Sequence, residues 1–203
     1  MKKMAEKSSA PDDKHEQIFQ AAVAEFQEKG FRDASMDRIS TRAGASKRTV
    51  YKHFESKEKL FQELVRRHWA RFASTLEVSY EKGRDIRDQL TDLGHAQGNL
   101  FTSPEIMATT KLVMSEVLRS PELVEQNQEK TDYKIHFQAM VREAVKDGQL
   151  QADDPNSAAD EFIALIKGKA FWPVILGEPV VSSGEMTKIV DDSVALIMSR
   201  YGV

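Results

Sequence analysis

Between residues 35 and 57 the chain reads SMDRISTRAGASKRTVYKHFESK, a run dense in hydroxyls, ammoniums and guanidiniums. Lys47, Arg48 and Lys52 can neutralise phosphates, and lysine and arginine also pair with guanine edges. Thr49 can hydrogen-bond a base or set its methyl against thymine. Tyr51 and His53 suit phosphate oxygens, contacts that fix register rather than sequence. Lys57 follows Ser56 where another helix would open, and free amides beside an ammonium make a phosphate site. The chemistry on offer is recognition of a nucleic-acid duplex, not bond breaking.

Such side chains need short, rigid elements to present them, and the same stretch encodes these. Ser35 is a good N-cap, and Met36, Ile39 and Ala43 then recur at helical spacing. Gly44 stands where a helix end favours a left-handed residue. Ser46 caps a second helix whose buried side is Val50 and Phe54. A short helix, a glycine turn and a second short helix form a helix-turn-helix, in which the second helix enters the major groove. From residue 32 to 54 there are six basic residues (Arg32, Arg38, Arg42, Lys47, Arg48, Lys52) and two acidic ones (Asp33, Asp37), a net of +4. The whole chain carries −3, so the other 180 residues carry −7. A basic island on an acidic body is the electrostatic footprint of a polyanion partner.

Residues 13–64 resemble the DNA-binding domain of the TetR family of transcriptional repressors. The likeness rests on an ordered set: Ile18, Ala21, Ala22 and Phe26, then Gly30-Phe31, Ser35-Met36, Ile39 and Ala43-Gly44-Ala45-Ser46. It continues through Thr49, Tyr51, His53-Phe54, Ser56-Lys57-Glu58 and Leu60. Ser35 stands where threonine is commoner in the family and keeps the capping hydroxyl. The contact surface expected from residues and resemblance together is Ser35, Arg42, Ser46, Lys47, Arg48, Thr49, Tyr51, Lys52, His53 and Lys57. Lys47, Arg48 and Thr49 are expected to meet bases; Tyr51, His53 and Lys57 are expected to meet phosphates.

Beyond Phe54 the pattern is helical throughout, with no sustained strand-like alternation, so an all-α chain of about nine helices is expected. One long helix is expected over 56–80, with further helices over 86–101, from Pro104 to Ser120, and from Leu123 to Asp147-Gly148. The last two are expected over 158–176 and 185–201. The domain reading is a disordered tail at 1–11, a helix-turn-helix domain at 12–56, and a helical ligand-binding and dimerisation domain at 57–203. The run KLVMSEVLRSPEL, Phe137 and DGQLQADDPNSAADEFIALIKG are similar to the C-terminal domain of the AefR-like branch of TetR regulators. That resemblance implies an all-helical domain that dimerises and often binds an effector.

Phe162, Leu165, Ile166, Ile189, Val190, Val194 and Ile197 give the last two helices an apolar side. Two such helices from each of two chains could close a four-helix bundle, and the alternative is a core within one chain. The dimer reading is preferred because one head reads only a half-site. Phe101, Met107, Met114, Phe137, Met140, Phe162, Phe171 and Trp172 are the candidate lining of an effector pocket, since methionine shapes adaptable apolar cavities. His95, Gln97, Asn99, His136 and Gln138 are polar groups that could orient a ligand.

Several classes drop out. Without cysteine there are no disulfides, thiolate metal sites or cysteine nucleophiles, which agrees with a cytoplasmic location. Met1-Lys2-Lys3-Met4 is basic, but no apolar run follows, so no signal peptide is expected. No stretch reaches the roughly 18 apolar residues of a membrane span. The five histidines form no HExxH pair, the glycines form no phosphate loop, and no serine sits in GxSxG. No metal, cofactor or catalytic set is expected. The reading is a homodimeric regulator, in the sense of a repressor, with a duplex operator and a small effector as partners. The alternatives are a helical ligand-binding protein without DNA binding and an all-helical enzyme.

Overall fold

The computed structural model describes residues 11–121 and 134–203. Residues 1–10 of the expected tail, and the 123–133 part of the helix expected from Leu123, lie outside them. Among the described residues there are ten helices. They are α1 (Pro11–Asp33), α2 (Met36–Arg42), α3 (Lys47–His53), α4 (Lys57–Ser74), α5 (Ile86–Phe101), α6 (Pro104–Arg119), α7 (Ile135–Lys146), α8 (Pro155–Ala170), α9 (Trp172–Ile175) and α10 (Ser183–Tyr201). The chain is all-α as expected; the one β element among the described residues is an isolated bridge between Leu150 and Gly202.

Two compact units divide the chain: Met1–Arg67 with Leu112–Gln128, and His68–Lys111 with Glu129–Val203. The core of the first is built on Ile18, Phe26, Ile39, Val50, Leu60 and Phe61, all fully buried. The rings of Phe26, Phe31 and Phe61 meet within it, Phe31 and Phe61 at 4.8 Å. In the second unit α10 packs on α5 and α8, and α7 on α8. Its core gathers residues from Leu76 to Ile197 into one continuous apolar cluster.

Four element boundaries differ from the sequence reading. The helix expected over 56–80 ends at Ser74, because the Ser74 and Thr75 hydroxyls turn back to the Arg71 and Phe72 carbonyls and Leu76 plunges into the core. The helix expected over 158–176 starts earlier, at Pro155, where the Asp154 carboxylate accepts from the Asn156 and Ser157 amides. It also breaks at Phe171, and α9 follows as a separate turn. Pro173 explains the break, since proline has no amide to continue the ladder and its ring crowds the preceding turn. The last helix starts at Ser183 rather than 185 because Ser182 and Glu185 form a reciprocal capping box.

Two features of the second unit carry testable consequences. Helices α5 and α10 cross closely at two glycines: a Cβ on Gly94 would lie 2.7 Å from Val190 Cγ1, and one on Gly98 2.7 Å from Met186 Cγ. His68 is buried, with Nε2 2.9 Å from Thr110 Oγ1. The Thr110 hydroxyl donates to the Ile106 carbonyl, so Nε2 is the donor and Thr110 the acceptor. Burial, helped by Arg71, pulls the His68 pKa down to about 4.

Gly94→Ala is expected to cost about 1–3 kcal/mol and Gly98→Ala less, because valine is stiff at χ1 whereas methionine can bend away. Urea denaturation of both variants checks the order. For His68, the folded pKa lies below the unfolded one, so its contribution is present above about pH 6.5 and is lost as pH falls towards about 4. The expected loss is about 2 kcal/mol by about pH 5, with His68→Gln showing a shallower slope between neutral pH and that point. A variant as pH-sensitive as the parent would contradict the buried neutral imidazole.

Candidate nucleic-acid interface

Each end of the two short helices is held by the groups their spacing implies. Ser35 Oγ accepts from the Arg38 amide at 3.3 Å, and Ser46 Oγ from the Thr49 amide at 3.1 Å. Between them Gly44 adopts φ 53°, which lets the Ala45 amide reach the Ser40 carbonyl at 3.0 Å. Met36, Ile39 and Ala43 of the first helix and its C-cap, and Val50 and Phe54 of the second, face inwards. That burial fixes the opposite face of α3 as the outward one.

On that face Arg48, Tyr51 and Lys52 are exposed, Tyr51 to 49%, and Thr49 is half-buried beside them. No ion pair holds Arg48 or Lys52 among the described residues. The other expected contacts carry intramolecular partners. Lys47 pairs with Asp37 at 2.6 Å, both side chains well exposed. Arg42 reaches Glu28 at 2.5 Å and Glu25 at 3.6 Å. Lys57 donates to the Arg32 and Ala34 carbonyls at 2.9 and 3.0 Å, and its ammonium lies 4.7 Å from the centre of the Phe31 ring. Ser46 and Thr49 share a hydroxyl contact of 2.8 Å. The His53 ring, half-buried, meets His15 edge-on at 5.9 Å, and His15 in turn lies 4.4 Å from Phe54. The ten residues are thus gathered on α2, α3 and the start of α4. Arg48, Tyr51 and Lys52 stand exposed, Arg42 and Lys47 hold surface ion pairs, and Lys57 bonds backbone carbonyls of the head.

The residues that orient the head were not evident from local spacing. Glu25 is 1% exposed, and its carboxylate takes Arg38 Nε at 2.5 Å as well as Arg42. Arg38 also donates to the Asp33 carbonyl, so one guanidinium ties α2 both to the interior of α1 and to its last residue. Lys14 reaches over the turn to the Ala43 and Gly44 carbonyls at 3.5 and 3.4 Å. A faint signal exists for Glu25, which falls on the apolar face of α1 set by Ile18, Ala21 and Ala22. Lys14, four residues before Ile18, lies on the same face, but nothing local says that it reaches the turn after α2. Farther along α4, Arg67 binds Glu16 at 2.6 Å and lies over the Phe19 ring at 4.0 Å. Beside it, hydrogen bonds from Arg66 first and then Arg67 hold the Glu63 carboxyl down to about 2.

The remaining candidates fall in other places. Phe101, Met107, Phe137, Met140, Phe162 and Phe171 are buried in the second unit, with Phe137 against Phe162 at 5.8 Å and Phe101 against Phe171 at 5.5 Å. Trp172 is nearly half exposed, and Met114 falls in the stretch Leu112–Gln128 of the other unit. Of the seven candidate interface residues, Phe162, Ile166, Val190, Val194 and Ile197 are buried within the chain itself; Leu165 and Ile189 are half-buried. A groove of about 650 Å³ runs along the outer side of α8 and α10, over Ala164, Leu165, Gly168 and Leu196. A second cavity, of about 470 Å³, is lined by polar residues around Tyr80 and Asp147. No effector candidate lines either one.

A short outward helix with unpaired cations, set by a glycine turn on a companion that buries one face, defines a helix-turn-helix DNA-binding head. The family described as bacterial regulatory proteins, tetR family, matches residues 18–64, and the AefR-like transcriptional repressor C-terminal domain matches residues 88–203. The crystal structure of a TetR family transcriptional regulator from Pseudomonas syringae pv. tomato is similar with a TM-score of 0.79 and 36% identity, over 96% of this chain and 100% of that one. The chain belongs to the TetR family of transcriptional regulators, proteins that regulate transcription and are not enzymes. Among curated relatives, the transcriptional activator FasR of Mycolicibacterium smegmatis is 34% identical over 39% of this chain and 36% of its own length. The transcriptional repressor SCO4008 of Streptomyces coelicolor is 31% identical over 45% of this chain and 47% of its own. The chain therefore matches less than half the length of either. Among the described residues no helix is long and apolar enough to cross a membrane.

Tyr51→Ala is expected to weaken binding to a cognate duplex at least tenfold, about 1.4 kcal/mol or more. Fluorescence anisotropy on the folded variant reads this directly; an unchanged affinity would take Tyr51 out of the contact surface.

Proposed function

We propose that the protein is a repressor that grips a palindromic operator as a homodimer and lets go when a small, largely apolar effector enters its C-terminal domain. The observation that carries this reading is the outward set Arg48, Tyr51 and Lys52 on a helix whose other side is fully committed to the core. Arg48 and the neighbouring Lys47 and Thr49 reach base edges; Tyr51 and His53 take phosphates, and so does Lys57 through the third N–H that its two carbonyl bonds leave over. Lys47 exchanges Asp37 for DNA at small cost, because exposed ion pairs contribute little. The C-terminal match, to a domain described as belonging to repressors, supports this sign of regulation.

Dimerisation follows from the operator and from the apolar surface left over. Leu196 is 52% exposed on α10, beside Leu165 on α8, and Gly168 lets another helix approach closely. Glu161, Lys169 and Arg200 supply a charged rim around this strip. Two heads spaced about 34 Å or a multiple apart would combine their affinities on a palindrome. Helix α4 carries the chain from one unit into the other after Arg67, and α6 does so after Lys111, so these two helices are covalent routes by which an effector acts. The effector shifts the equilibrium only by its differential affinity for the two arrangements.

A gel shift with duplex flanking the protein's own gene tests operator binding. The expected result is a retarded complex whose affinity falls steeply with salt, the slope growing by about 0.9 per phosphate neutralised. Light scattering is expected to return twice the 23.0 kDa chain mass. A single-chain mass at micromolar concentration, or retardation indifferent to salt, would overturn the proposal.

A further inference from the structure

Among the described residues, six polar side chains are buried in the second unit: His68, Gln89, Gln97, Thr109, Thr110 and Ser193. Five have their hydrogen bonds. Gln89 accepts from the Glu81 amide and donates to the Glu81 and Arg84 carbonyls. The hydroxyls of Thr109, Thr110 and Ser193 each donate to the carbonyl four residues back, and His68 donates to Thr110. Gln97 is 4% exposed, yet its Oε1 has no donor. Buried polar atoms of native proteins are nearly always satisfied, and an orphan calls for a physical account.

Gln97 is also in an odd place. The buried positions of α5 run from Gln89 round to Gly98, and at about 100° per residue Gln97 falls near the middle of that face. An apolar residue is the ordinary occupant there. Phe101, one turn on, meets Phe72 at 6.0 Å and Phe171 at 5.5 Å, and Phe72 meets His68 at 5.1 Å. Among the polar groups singled out from sequence, His95 and Gln138 are half-buried and Asn99 and His136 are exposed; Gln97 is the buried one. Among the described residues no carboxylate, lysine or arginine is buried in this unit. The one ionisable side chain buried there is His68, which burial keeps neutral. An anion would find no cation, a cation would find no carboxylate, and either would lose its hydration.

We propose that Gln97 is the polar anchor of the effector site, and that the effector is an uncharged, largely apolar molecule presenting one hydroxyl or N–H donor to Oε1. This rests on the reading above that the second unit takes an effector. Neither of the two cavities described above is lined by Gln97, and the guest is proposed to reach it by displacing side chains around it. That displacement supplies the second arrangement a regulator needs, and the donor to Gln97 stabilises it selectively.

The test uses 4-alkylphenols from butyl to octyl, each beside its methyl ether and the matching 4-alkylbenzoate, titrated calorimetrically into the full-length protein without DNA. The phenols are expected to bind about tenfold or more tightly than the ethers, since only they satisfy a buried acceptor, and the benzoates least of all. Gln97→Met is expected to melt at a higher temperature than the parent and to bind phenol and ether alike. Equal binding of phenol and ether by the parent, preference for the benzoates, no binding of any phenol, or a lower melting temperature for Gln97→Met would each overturn the proposal. The last result would mean that the oxygen is satisfied by a buried water. Gel shifts on the same samples separate the two readings. Phenols that discriminate at Gln97 yet leave the DNA complex intact uphold the anchor and defeat the regulatory role assigned to it.

Discussion

The head depends on one carboxylate out of water. Glu25 lies inside the first unit and is held by Arg38, with Arg42 a little farther off, both on the companion helix of the reader. A buried carboxylate of this kind is tolerable only with its partners in place, and removing the arginines would leave Glu25 unpaired out of water, whereas the arginines themselves reach solvent. The pairing therefore sets where α2 lies on α1. Two helices of seven residues each bury too little to orient themselves. Once α2 is pinned, the Gly44 turn and the two caps leave α3 one direction in which to point.

The same region shows how basic residues divide their labour. The net +4 between residues 32 and 54 looks from sequence like a uniform basic patch. In three dimensions it separates into an inner layer that braces the fold and an outer layer that meets solvent. Arg38 and Lys57 close carbonyls and carboxylates of the head itself. Arg48 and Lys52 stand clear. Arg42 and Lys47 are intermediate, paired at the surface with Glu28 and Asp37, where water screens the attraction and a phosphate can compete. Affinity for a polyanion is thus tempered by acids within reach, which favours a ligand that offers shape as well as charge.

In the second unit the governing constraint is an interior in which no described carboxylate, lysine or arginine is buried. Continuous apolar packing from α5 through α10 gives that unit its stability, and the close crossing at Gly94 and Gly98 gives it a well-defined geometry. A polar atom set into such packing is expensive, and among the described residues all the buried polar side chains of this unit but Gln97 are satisfied within it. The helices α8 and α10 work on two faces at once. Phe162, Ile166, Val190 and Val194 fill the chain's own core, and the smaller strip of Leu165, Gly168 and Leu196 remains outside.

Much of this was legible in the sequence, for a reason of range. The caps at Ser35 and Ser46, the positive φ at Gly44 and the apolar stripes of α2 and α3 are interactions within about four residues, and local spacing encodes them. The family likeness rests on that local grammar. So do the helix starts at Ile86 and Pro104. Nearby signals were also present at Pro173, where a helix read as continuous breaks, and in the Ser182–Glu185 box, which moves a helix start by two residues. What the sequence by itself determined is the fold class, the reading helix and the chemistry on its surface. Tertiary structure alone decided that Glu25 orients the head, that Lys57 and Arg42 have internal partners, which apolar residues of α8 and α10 face inwards, and that Gln97 is left without a donor. The head contacts join groups as far apart as Arg38 and Glu25, 13 residues, and Lys57 and Ala34, 23 residues; elsewhere the Ile86 amide meets Gln149 across 63, and no local period records which of them will meet.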